Sequence, residues 1–122
     1  MHSKIEEMPL EVDVPVAKVR SQEAGEMTMQ YARVQAGADL APLLEGLPGD
    51  KCSCPHWGHV FRGALIVNYA DGSEETIRAG ESYYLPAGHT IRFDTETHYI
   101  DLSPTEEMKA VSEHMERKMS AV

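Results

Sequence analysis

Val12, Val14 and Val16 alternate with polar or small neighbours, the two-residue period of a half-buried strand. Pro15 falls inside that run and predicts an edge strand, because proline cannot donate to a ladder. Met27, Met29 and Tyr31 carry a second alternation as far as Gln35, and Gly37 ends it. Asp39 is placed to cap a short helical turn through Leu43 and Leu44, after which Gly46, Pro48 and Gly49 predict a loop. Val60 to Ala70 reads as strongly β. Asp71-Gly72 is a hairpin turn, and Glu74 to Arg78 is the returning strand. Gly80 breaks the pattern before a short strand at Tyr83 to Leu85. Pro86-Ala87-Gly88 turns the chain into two more strands, Ile91 to Phe93 and His98 to Leu102. Short strands divided by Gly, Pro and Asp turns predict an all-β sandwich or barrel.

The period then changes. Ser103-Pro104-Thr105-Glu106 has the form of a capping box with proline at the first helical position. Met108, Val111, Met115 and Met119 recur at helical spacing, with Arg117 and Lys118 suited to a helix C-terminus. The methionine stripe predicts a helix packed on the barrel or on a neighbouring subunit. One domain spans 1–122, with the barrel over about 10–103 and the helix over about 104–119.

Charge and cysteine usage narrow the function classes. Twenty acidic residues against eleven basic ones give a net charge of −9, which argues against nucleic acid as a partner. No apolar run approaches the roughly 20 residues that span a bilayer, and Met1 to Glu7 lacks the apolar core of a signal peptide. A cytoplasmic location with no membrane contact is the expectation. Cys52 and Cys54 are one residue apart, too close for an unstrained disulfide, which predicts two thiols or ligands of one metal.

Two spacings carry a family resemblance. Gly80-x5-Pro86-x-Gly88 resembles the core of the second cupin motif, and His56-x6-Gly63 has the spacing of the end of the first. The resemblance covers residues 50 to 103. It implies a single cupin-type barrel, a jelly-roll-like double-stranded β-helix, here followed by a C-terminal α-helix. In such cupins two histidines and a glutamate of the first motif, with a histidine of the second, hold a metal. This sequence departs from that set. The histidine positions fall on Asp50 and Cys52, the glutamate position on His56, the second-motif histidine on Ile91 and the asparagine on Thr95. The resemblance also implies homodimerisation through edge strands.

What stands in place of the usual ligands is itself rich in donors. Asp50, Cys52, Cys54 and His56 share parity and would face one side of a regular strand. His89, two residues before Ile91, is placed to substitute for the missing histidine, and His98 is a further candidate. The metal-ligand candidates are therefore Cys52, His56, His89, Cys54 and His98, for a divalent transition metal such as zinc or iron. Trp57 and Tyr84 are candidate walls of a substrate pocket, and His59 or a tyrosine is a weaker candidate acid–base group. Arg62, Arg78 and Arg92 are candidate contacts for a carboxylate, while His2 and His114 have no evident partners. The function expected is binding of, or action on, a small polar organic molecule, with oxidation, isomerisation and lyase chemistry all open. The alternative is a metal-free, non-enzymatic module that binds or senses a small molecule.

Overall fold

The computed structural model describes residues 1–120. Nine strands run in chain order: β1 (Leu10–Val14), β2 (Ala17–Ala24), β3 (Met27–Val34), β4 (His56–Arg62), β5 (Ala64–Tyr69), β6 (Glu74–Arg78), β7 (Ser82–Leu85), β8 (His89–Arg92) and β9 (Thr97–Pro104). A single turn of helix, α1 (Ala41–Leu44), precedes β4, and α2 (Thr105–Ser120) closes the described chain. The N-cap of α1 is Leu40, and Asp39, one residue earlier than a cap, accepts the Ala41 N–H on Oδ1 at 2.9 Å.

The strands form two antiparallel sheets, one ordered β1-β2-β3-β9-β4-β7 and the other β6-β5-β8. Their inner faces share a core that includes Val60, Leu65, Val67, Leu85, Phe93 and Tyr99. The expected long strand over Val60 to Ala70 is two strands, β4 and β5, which belong to different sheets. Gly63 makes that corner at φ 77°, where a Cβ would run into the Glu96 carbonyl and the Thr97 backbone. Thr97 Oγ1 accepts the Ala64 N–H at 3.2 Å and pins the corner. Asp71-Gly72 turns β5 into β6, with Asp71 Oδ1 accepting the Ser73 N–H at 2.8 Å.

A second apolar cluster, Leu44, Cys52, Cys54 and Val111, packs beneath α2 with Met108 and Met115 against it. Helix α2 therefore lies on the barrel of its own chain. Both cysteines are free thiols. Among the described residues no helix is long and apolar enough to cross a membrane.

Candidate metal centre

Backbone pairing outside the regular ladders brings the first two donors together. The Cys52 N–H donates to the His89 carbonyl at 2.8 Å, and the Gly88 N–H donates to the Cys52 carbonyl at 2.7 Å. This isolated antiparallel bridge lays the Cys52 segment along β8. His56 opens β4 and reaches the same place from the other sheet, its Nε2 3.5 Å from Cys52 Sγ. One ligand atom each from Cys52, His56 and His89 lies within 4.8 Å of the other two, and all three residues are buried.

The outer nitrogens of both rings are fixed. His89 Nδ1 stands 2.7 Å from the Pro86 carbonyl, which can only accept, so Nδ1 carries the proton and Nε2 presents a bare lone pair. That Nε2 is buried and has no hydrogen-bond partner. His56 Nδ1 is 2.7 Å from Ser103 Oγ. A metal on His56 Nε2 would put the ring proton on Nδ1, with Ser103 accepting it, the usual support for a ligating imidazole.

Burial, and then the neighbouring His89, push the His56 imidazole down to about 3. Burial also lowers His89. Both rings are therefore neutral at pH 7, the form that ligates. Burial raises the Cys52 thiol to about 11, against the lowering effect of the Cys54 backbone. Without a cation Cys52 is a thiol, and a metal would have to displace its proton. The residues fit a divalent metal. In tetrahedral zinc, ligand atoms lie roughly 3.3–3.6 Å apart given ordinary Zn–N and Zn–S lengths. The Cys52–His56 separation of 3.5 Å already matches that spacing.

Sequence reasoning missed the neighbours of this cluster. Strand β9 turns Thr97, Tyr99, Asp101 and Ser103 inward and His98, Ile100 and Leu102 outward. Asp101 is thus buried beside the cluster, its Oδ2 accepting the Tyr83 hydroxyl at 3.1 Å and its Oδ1 without a partner. Burial pushes its carboxyl up to about 7, against the lowering effects of the Tyr83 and Ser103 hydroxyls. Gly58 faces Asp101 on one side and Tyr83 on the other. A Cβ there would lie 2.5 Å from the Tyr83 phenol oxygen, so the missing side chain is what lets the phenol reach Asp101. Ser103 is drawn off its expected role in the capping box by His56. The inward parity of β9 was the available signal, hidden because Ile100 and Leu102 look like the core-facing set.

Several expected site residues lie elsewhere. Cys54 is a correction: β4 starts only at His56, so parity does not extend back through Pro55, and Cys54 packs with Leu44 and Val111 while its thiol contacts the Pro55 carbonyl at 3.4 Å. Asp50 is exposed and accepts the Gly46 N–H at 2.9 Å. His98 points away from the cluster and pairs with Glu96 at 3.1 Å. Trp57 and Tyr84 are corrected from pocket walls to an outer-face pair, 43% and 54% exposed with ring centroids 5.2 Å apart. Of the two adjacent tyrosines it is Tyr83 that turns inward. His59 Nδ1 meets Ser82 Oγ at 2.9 Å on that outer face. Arg62 pairs with Glu96 at 2.8 Å and Arg92 with Glu74 at 3.0 Å. His114, expected to be solvated, donates to the Glu45 carbonyl at 2.7 Å.

The cluster borders a cavity of about 300 Å³ between the sheets and α2, with Cys52, His56, His89 and Asp101 among its lining. The arrangement of two packed antiparallel sheets recurs in solved structures. Ectoine synthase from P. lautus superimposes with a TM-score of 0.63 at 12% identity, over 85% of this chain and 77% of that one. An RmlC-like cupin from Shewanella frigidimarina gives 0.61 at 21% identity, over 84% and 88%. The fold is that of a cupin. A Rhizobium leguminosarum protein of unknown function superimposes on the same cupin barrel with a TM-score of 0.62 at 20% identity, over 84% of this chain and 94% of that one. No protein-family model matches the sequence, and no curated protein matches it. Cys52 and His56 fall where the resemblance sets motif-one ligands, and His89 joins them from two residues before the motif-two position, where Ile91 instead lines the cavity.

Proposed function

We propose that this cupin holds a divalent transition metal, zinc or ferrous iron, on Cys52, His56 and His89, and binds or acts on a small organic molecule in the adjoining cavity. The observation that carries this reading is the buried, unpartnered Nε2 of His89, aimed at two other donors. Leaving such an acceptor unsatisfied costs about 1–3 kcal/mol, which a bound cation would recover. Three protein ligands leave a coordination position open, and a metal there would supply Lewis acidity at the inner end of the cavity. The chain's own residues do the rest. Ser103 and the Pro86 carbonyl orient the two imidazoles, Tyr83 orients Asp101, and Asp101 is within the cavity lining where it can hold or give up a proton.

Elemental analysis of protein purified without a histidine tag tests the reading. About one equivalent of zinc or iron is expected in the wild type, and none in Cys52→Ser or His56→Ala. A wild type that stays metal-free after exposure to both ions contradicts it. The second reading, a metal-free ligand-binding cupin, draws support from the Cys52 thiol, which has the Cys54 carbonyl as an acceptor at 3.6 Å.

We also propose that two copies pair through the outer face of the larger sheet. Trp57, Phe61, Tyr84 and Leu102 are exposed there, an apolar face of the kind that pairing covers. Light scattering is expected to give twice 13.5 kDa, and half that for Phe61→Lys; a monomeric wild type contradicts pairing.

A further inference from the structure

The cavity's lining is chemically lopsided. Its walls are aliphatic, aromatic and thioether: Val14 from β1, Val19 from β2, Leu43 from α1, Phe93, and Met108 and Met115 from α2. Among the described residues no lysine or arginine lines it, and every charged side chain that does is acidic: Glu11, Asp39, Asp101 and Glu116. The arginines that might have recognised a carboxylate are paired elsewhere, Arg62 with Glu96 and Arg92 with Glu74. In the metal-free cavity an anionic ligand would meet carboxylates and no lysine or arginine to compensate them.

The buried end of the same cavity asks for a donor. Asp101 is 5% exposed, and its Oδ1 has no hydrogen-bond partner. Its other oxygen accepts the Tyr83 hydroxyl, which fixes the carboxyl plane. The methionine stripe of α2, expected only as packing, is part of the lining and gives an adaptable apolar surface. A volume of about 300 Å³ sits at the small end of ligand sites.

We propose that this cavity selects a small apolar molecule that bears no negative charge and ends in one hydrogen-bond donor, an alcohol or a primary amine, with that donor on Asp101 Oδ1. The inference rests on the reading that the cavity is the ligand site, and it replaces a polar substrate with an apolar one. It does not require the metal.

Calorimetry with 1-octanol, 1-octylamine and octanoate at pH 8, where Asp101 is ionised, tests it, using the full chain treated with a chelator so that no metal can capture the octanoate carboxylate. Octanol and octylamine bind saturably, and they shift the methyl resonances of Met108 and Met115; octanoate binds at least about tenfold more weakly. Val14→Phe, at a half-buried position on the cavity wall, abolishes octanol binding while thermal unfolding stays cooperative. Asp101→Asn keeps an acceptor but removes the charge, so it retains octanol and admits octanoate to within about threefold. Octanoate binding the wild type as tightly as octanol, or no binding by any of the three, overturns the inference. So does octanol binding that Val14→Phe leaves unchanged. Metal stoichiometry is read separately, so each proposal can fail while the other stands.

Discussion

At the scale of single residues, the site is a set of titratable groups held out of water, and their shifts oppose one another. His56 is pushed down to about 3 from an ordinary 6.5, and His89 is lowered too. A depressed folded-state value means that the unfolded chain takes up protons first as pH falls. The histidines' contribution is therefore present above about 6.5 and is lost as acid approaches the folded value. Asp101 behaves oppositely. Raised from 3.8 to about 7, it contributes stability that is complete below about 4 and is lost as pH rises through 7. In chelator-treated protein, Asp101→Asn is therefore expected to be more stable than wild type by about 1–3 kcal/mol at pH 8, with a smaller gain at pH 5. Urea unfolding at the two pH values checks this; a variant less stable at pH 8 than at pH 5, relative to wild type, would contradict a buried carboxylate. Gly58→Ala would push the Tyr83 phenol off Asp101 and cost about 1–3 kcal/mol. A crystal structure of that variant should show the Tyr83–Asp101 hydrogen bond broken.

At the scale of elements, turns and periods were legible, and faces were not. Asp71-Gly72, Gly80 and the Pro86-Ala87-Gly88 turn could be read directly, as could the helical spacing that became α2. The corner at Gly63 could not, because Val60 to Ala70 is continuous β pattern and only the close approach of the Glu96 carbonyl marks where the chain changes sheets. Gly63→Ala should lower the midpoint of urea unfolding by an amount worth about 1–3 kcal/mol, since it adds a side chain at φ 77° against backbone. An unchanged midpoint would mean that the corner is not held by this glycine. The site strands are harder still, because on them the usual pattern is inverted. On β4 the inward residues His56 and Gly58 alternate with outward Trp57 and Phe61; on β9 inward Asp101 and Ser103 alternate with outward Ile100 and Leu102. Reading apolar residues as core therefore sends Trp57 inside and hides Asp101. Such local breaks in pattern are what a functional site imposes on a sheet. Cys52 and His56 were legible because motif spacing, not hydrophobicity, located them, and His89 because it lies two residues from the vacant motif position at Ile91.

At the scale of the whole molecule, the barrel brings three distant segments to one point: the bridge at Cys52, the start of β4, and the turn into β8. Neither sheet carries the centre alone, since His56 belongs to the larger and His89 to the smaller. Metal binding should thus tie the two sheets together and raise the unfolding temperature. Binding one equivalent at a concentration 100 times Kd adds about 2.7 kcal/mol. Because the Cys52 thiol is protonated without metal, loading should also release a proton and tighten as pH rises. The central claim is that Cys52, and not its neighbour Cys54, supplies sulfur to a metal shared with His56 and His89. Absorption spectroscopy of cobalt(II)-loaded protein reads this directly through the thiolate-to-cobalt charge-transfer band. The band is expected in the wild type and in Cys54→Ser, and absent in Cys52→Ser. A band that survives Cys52→Ser, or that vanishes only in Cys54→Ser, would contradict the account.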